Sequence, residues 1–154
     1  MKKVLVGGAF DLFHYGHLCM LEWAKSHGDY LVVHVSTDER VKFKKGEGRP
    51  VVPQRERIAI VKACRFVDEI CVIEYPYKTN PILKALKNVV PDIYCRDAEA
   101  NLQTLEQERK LCKKLGIKII FYKNFPHFSS SIHTTGIIGK IRGRRRINNF
   151  VFEQ

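Results

Sequence analysis

The chain has 154 residues, with 27 Lys and Arg against 16 Asp and Glu, for a formal net charge of +11. That length suits one domain, 45% hydrophobic residues suffice for one core, and the lack of any apolar run near the length of a membrane helix excludes such a span. Cys19, Cys64, Cys71, Cys95 and Cys112 lie mostly in apolar stretches with no C-x-x-C pair, which argues against zinc or disulfides and for reduced core thiols in a cytoplasmic protein.

The N-terminus, Met1-Lys2-Lys3-Val4-Leu5-Val6-Gly7-Gly8, is too briefly apolar for a signal peptide and reads as a first strand over Lys3–Gly8. A helix follows over about Gly16–His27, with Leu18, Leu21 and Trp23 in its core stripe. A second strand covers Tyr30–Ser36. A helix from Pro53 to about Arg65 has Ile58, Val61 and Ile60, Cys64 at helical spacings. A third strand is expected at Glu69–Ile73, and a helix capped by Asn80-Pro81 must stop before Pro91. The fourth strand is Asp92–Cys95. A helix over about Leu102–Leu115 closes at Gly116, the fifth strand is Lys118–Tyr122, and a last helix begins near Ser131–Thr134. Short strands rich in Val, Ile and Tyr alternating with helices predict an α/β fold, a five-stranded parallel sheet with helices on both faces. Residues 1–142 form the expected domain and residues 143–154 a basic C-terminal tail.

The segment Gly7-Gly8-Ala9-Phe10-Asp11-Leu12-Phe13-His14-Tyr15-Gly16-His17 joins the first strand to the first helix. Glycines there let the backbone approach phosphate oxygens, and the helix start adds free N–H groups and a positive dipole end. His14 and His17 are three residues apart and can face one phosphate. Phosphoryl transfer needs donors aimed at developing charge, and two imidazoles with nearby lysines can supply them. A bare capped turn or a metal site is the competing reading, but His14 and His17 lack a nearby third ligand other than Asp11.

This segment resembles the nucleotidyltransferase superfamily that includes glycerol-3-phosphate, phosphoethanolamine and phosphocholine cytidylyltransferases, through the signature G-x-F-D-x-x-H-x-G-H. The likeness extends from Lys3 to about Ile141. It implies a Rossmann-like fold and magnesium-dependent attack on an α-phosphate. His14, His17 and Lys45 are then the catalytic residues, Lys45 acting from a glycine-containing loop that closes over phosphates. Gly8, Ala9, Phe10, Asp11, Arg57, Asp97, Glu99, Ser131, Ile132, His133, Thr134 and Thr135 would bind the nucleotide. Lys42, Lys44 and Arg65 would hold the acceptor phosphate or support the site. The run Arg65-Phe66-Val67-Asp68-Glu69-Ile70 looks like a cytidylyltransferase subunit interface and implies a homodimer.

The pattern also departs from that family. Phe128 stands where an arginine is usual, His133 replaces a serine, Ala9 replaces threonine, cysteine or valine, and Asp97 takes a glycine position, with Arg96 offered as compensation. The leading expectation is transfer of CMP from CTP to a phosphorylated alcohol of the glycerol 3-phosphate or phosphoethanolamine type, with Mg2+ and release of pyrophosphate. The Lys-Gly…Arg-Pro-Val run also resembles ATP-using enzymes that adenylylate heptose 1-phosphate, and archaeal FMN adenylyltransferases. A non-catalytic nucleotide-binding or nucleic-acid-binding protein is the alternative of another class. The run Arg144-Arg145-Arg146 reads as a solvated tail, and without stacking-aromatic modules or a zinc finger nucleic acid is not the expected partner.

Overall fold

The computed structural model describes residues 1–76, 78–98, 102–122 and 134–145. Eleven elements run in the order β1 (Lys3–Gly8), α1 (Tyr15–Lys25), β2 (Tyr30–Val35), α2 (Asp38–Lys45), α3 (Gln54–Lys62), β3 (Glu69–Cys71), α4 (Pro81–Val89), β4 (Ile93–Asp97), α5 (Leu102–Leu115), β5 (Lys118–Tyr122) and α6 (Thr134–Arg145). The five strands form one sheet in the order β3-β2-β1-β4-β5, with every neighbouring pair parallel. The Rossmann-like α/β fold expected from the sequence is the observed one. α6 continues to Arg145, three residues past the expected domain boundary.

Alternation along the strands sends residues to two cores. Val4, Val6, Leu31, Val33, Val35, Ile93 and Cys95 pack with Met20, Leu21 and Ala24 of α1 and Val61 of α3. Leu5, Val32 and Tyr94 pack on the other face with Ala85 and Leu86 of α4 and Cys112 of α5. Helices therefore cover both faces. The inward stripe of α1 is Met20, Leu21 and Ala24, with Trp23 half-buried rather than central. In α3, Val61 is buried and Ile58 and Cys64 pack on the core, while Ile60 is exposed. The cysteines are all free thiols, and burial pushes Cys95 up to about 12 and Cys112 to about 11, so both stay protonated. No helix among the described residues is long and apolar enough to cross a membrane.

The segment read as a lysine loop is a helix. Thr37 caps α2 by accepting from Arg40 N at 3.2 Å, Asp38 and Glu39 occupy the first turn, and Gly46 ends it with φ at +88°. Asp38 also clamps α2 to α3, accepting from Gln54 N at 3.1 Å and from Arg57 Nη2 at 2.6 Å.

Candidate active site

The chain order reverses between β1 and β4, so the connections leave those two strands toward opposite faces and a crevice opens at their carboxyl ends. A cleft of about 360 Å³ lies there, within the range of small-ligand sites. Gly7, Gly8 and Ala9 form its β1 edge, and Tyr94 to Asp97 its β4 edge. α2 contributes Arg40, Lys44 and Lys45, and α4 contributes its cap Asn80 with Pro81 and Ile82. α4 presses close because Gly7 has no side chain; a Cβ there would stand 2.5 Å from Ile82 Cδ1. Burial and Arg40 lower the pKa of Lys44, and burial and Arg49 lower that of Lys45, whereas Glu108 and Asp11 respectively act the other way. The cationic wall formed by these groups suits a polyanion.

His14 and His17 sit on the α1 side of the Gly8-Ala9 turn, beside this cleft rather than in its lining, and both are half-buried. Their rings stack with centroids 3.8 Å apart. His14 Nδ1 accepts from Gly16 N at 3.2 Å, and His17 Nδ1 accepts from His14 N at 3.3 Å. An Nδ1 that accepts carries no proton, so each ring bears its proton on Nε2, from which it can donate. Burial, the adjoining His14 and then Lys45 hold His17 down to about 3, against an opposing pull from Asp11. Lys45 thus joins the two halves of the site: it lines the cleft and its charge acts on His17. Phe10 and Leu12 hold the turn with φ at +53° and +48°, a strained geometry for side chains other than glycine.

The structure divides the other expected site residues. Gly8, Ala9, Lys44 and Asp97 line the cleft. Phe10 does not; it is buried with its ring 5.3 Å from His17 and supports that imidazole from below. Asp11 is likewise interior. Its carboxylate accepts from Arg49 Nε at 2.9 Å and from Val51 N and Val52 N at 3.0 Å each, which pins the segment after α2 and lowers its pKa despite burial. Arg57, expected at the phosphates, is fully buried: Nε donates to Val52 O at 2.9 Å, Nη1 to Ala9 O and Nη2 to Asp38, so the guanidinium braces the site backbone instead of meeting ligand. Lys42 points away from the cleft and pairs with Glu47 at 3.1 Å. Arg65 precedes β3, at the opposite end of the sheet in this chain, and lies over the Phe66 ring. Thr134 is buried, donating to Asp11 O at 2.6 Å, and so tethers α6 to the turn after β1; Thr135 beside it is exposed. Glu99, Ser131, Ile132 and His133 lie outside the described residues.

Sequence reading missed Arg40, His34, Asn80 and Glu108 in the cleft. Arg40 and Lys44 are spaced i,i+4, a signal legible only once α2 is recognised as a helix. Arg96 is not an open replacement for a missing arginine: Glu108 takes its Nε, and Thr104 Oγ1 lies 3.0 Å from its Nη2. Glu108 also accepts from Asn80 Nδ2 at 2.7 Å and Tyr94 OH at 3.2 Å. Among the described residues no group of three or more His, Cys, Asp and Glu is arranged to hold a metal ion.

The five-stranded doubly wound sheet thus carries two stacked imidazoles beside its switch point. The cytidylyltransferase-like profile matches residues 5–138, and the chain belongs to that family. It is 36% identical over 145 residues to the bifunctional protein HldE of Desulfatibacillum aliphaticivorans, covering 94% of this chain and 28% of that one. It is 37% identical over 117 residues to the FAD synthase of Pyrococcus horikoshii, covering 76% of each. A lipopolysaccharide core biosynthesis protein from Thermoplasma volcanium superposes with a TM-score of 0.69 at 28% identity, over 81% of this chain and 98% of that one. The chain therefore spans little more than a quarter of the HldE protein.

Proposed function

We propose that the protein is an adenylyltransferase, which moves AMP from ATP to a phosphorylated acceptor and releases pyrophosphate. The observation that carries the chemistry is the stacked His14–His17 pair, each Nδ1 accepting from backbone N–H so that the proton lies on Nε2, with the charge of Lys45 acting on His17. The likeness to FAD synthases and HldE proteins favours ATP over the CTP expected first, and FMN or heptose 1-phosphate as acceptors over glycerol 3-phosphate or phosphoethanolamine.

In this reading an acceptor phosphate oxygen attacks the α-phosphorus in line and the bond to the β-phosphate oxygen breaks. His14 and His17 donate to the oxygens that gain charge, and Lys45 lies against the phosphates. A neutral imidazole N–H suits this task, because it stabilises the transition state without needing to lose a proton. Mg2+ fits as a companion of the nucleotide: Asp97 is the exposed carboxylate of the cleft, Glu108 being buried on Arg96, so phosphates and water would supply most of its ligands. When bound it neutralises the leaving pyrophosphate. The homodimer and the cytoplasmic setting remain part of the proposal.

The test is a matrix of ATP and CTP against FMN, heptose 1-phosphate, glycerol 3-phosphate and phosphoethanolamine, read as pyrophosphate release. ATP turnover with FMN or heptose 1-phosphate supports the assignment, while preference for CTP or no release with any pair overturns it. His14→Ala or His17→Ala should cost roughly 10²–10³ in kcat, and unchanged turnover would remove these residues from the mechanism.

A further inference from the structure

Of the buried side-chain nitrogens and oxygens among the described residues, His34 Nε2 and Arg49 Nη2 have no hydrogen-bond partner. His34 lies on β2, only 1% exposed, and forms part of the cleft. Its Nδ1 is 3.1 Å from Cys71 O on β3. A carbonyl only accepts, so Nδ1 carries the proton and Nε2 presents a bare lone pair. Burial keeps the ring neutral by lowering its pKa, the bond to Cys71 opposing. The Cδ2 edge of the ring, next to Nε2, turns toward β1: a Cβ on Gly7 would lie 3.5 Å from it.

Three polar groups on this wall are already engaged. Asn80, Tyr94 and Arg96 all bond to Glu108, and Asn80 Oδ1 accepts from Ile82 N at 3.1 Å. Leaving one buried acceptor open costs about 1–3 kcal/mol unless something donates to it. The chemistry of that donor follows from the same wall. Arg40 and Lys44 bring positive charge to the cleft, so an anionic group is favoured there and an ammonium donor is disfavoured; a neutral hydroxyl remains.

We propose that His34 is a specificity residue of the acceptor subsite, its Nε2 accepting a hydrogen bond from a hydroxyl of a phosphorylated polyol or sugar whose phosphate is held near Arg40 and Lys44. This rests on the adenylyltransferase reading and adds the part of the acceptor that is recognised. In-line transfer puts the acceptor and the leaving pyrophosphate on opposite sides of the α-phosphorus. The β2–α4 side of the cleft, with His34, Asn80 and Ile82, takes the acceptor, and the β4–β5 side, with Asp97 and Tyr122, is left for the nucleotide.

The test compares the wild type with His34→Phe, which fills the ring's space without an acceptor, and His34→Gln, whose amide oxygen can accept. With ATP and whichever of FMN, heptose 1-phosphate or glycerol 3-phosphate is turned over, His34→Phe should raise the acceptor KM roughly tenfold or more, leave the ATP KM within twofold, and be partly rescued by His34→Gln. In parallel, ¹⁵N NMR of the histidine rings follows each of the three compounds added to wild-type protein; the unprotonated His34 Nε2 resonance should shift upfield with an acceptor and not with ATP alone. An unchanged acceptor KM, or a rise confined to the ATP KM, overturns the proposal while leaving the adenylyltransferase reading intact. Absence of turnover with every acceptor overturns that reading instead, and the Nε2 resonance then decides for His34: a shift with any of the three supports it, and none ends it.

Discussion

His17 and Arg57 show how far a side chain's role depends on what surrounds it. His17 is held neutral at a helix start, its pKa drawn from 6.5 down to about 3. The native state therefore releases its proton where the unfolded chain still binds one. Stability is fully present above about pH 6.5 and is lost as pH falls from there toward 3, because only the unfolded state gains the proton in that window. His34, shifted the same way, adds to the effect. A plot of Tm against pH should fall steeply between pH 6.5 and 4, and His17→Asn should flatten it; an equal slope in the variant would refute the assignment. Arg57 braces Ala9, Val52 and Asp38 from a fully buried position. Arg57→Met should cost about 1–3 kcal/mol for each carbonyl it strands, Ala9 O and Val52 O, and little more for the half-exposed Asp38. Urea unfolding would measure it, and a loss of activity without loss of stability would instead return Arg57 to the phosphates.

Among the elements, α2 is the one that the sequence concealed. Its composition, Asp38-Glu39-Arg40-Val41-Lys42-Phe43-Lys44-Lys45, has no apolar stripe, because Val41 and Arg40 are its buried residues and Phe43 is exposed. Periodicity is a record of burial, and an element that buries little leaves little record. The local signs were nonetheless present: a Thr cap, acids in the first turn, lysines in the last and Gly46 beyond. Gly46 sits at φ +88°, where a Cβ meets nothing within 4 Å but the backbone geometry is unfavourable. Gly46→Ala should therefore cost about 1–3 kcal/mol and, by loosening the turn that carries Lys45, raise the ATP KM. A Tm and a KM both unchanged would show that this helix end does not position the lysine.

For the whole molecule, the sheet places its two chemical assemblies on either side of β1, the imidazoles toward α1 and the cationic cleft toward α4 and α5. β3 is a three-residue edge strand, and Arg65 and Phe66 stand at its entry. If that edge pairs two copies, light scattering should report twice the mass of 17.9 kDa, and Phe66→Glu should restore the monomer; a wild-type monomer at micromolar concentration would dispose of the dimer.

The sequence by itself determined the alternation of strands and helices, because strands buried on both faces must be apolar and caps and turns need particular residues: Asn80-Pro81 and Gly116 marked their boundaries, and β1, α5 and β5 fall where expected. It also carried the family signature, since His14-x-x-His17 after a glycine-rich strand end is a local arrangement. Which charges line the cleft was settled by tertiary packing alone. Asp11, Arg57 and Arg65 look as available in the sequence as Arg40 and Lys44. The difference lies in contacts 38 to 48 residues apart for the first two and in which end of the sheet holds the third. Burial and pairing across such distances are set by packing, and no short segment of chain records them.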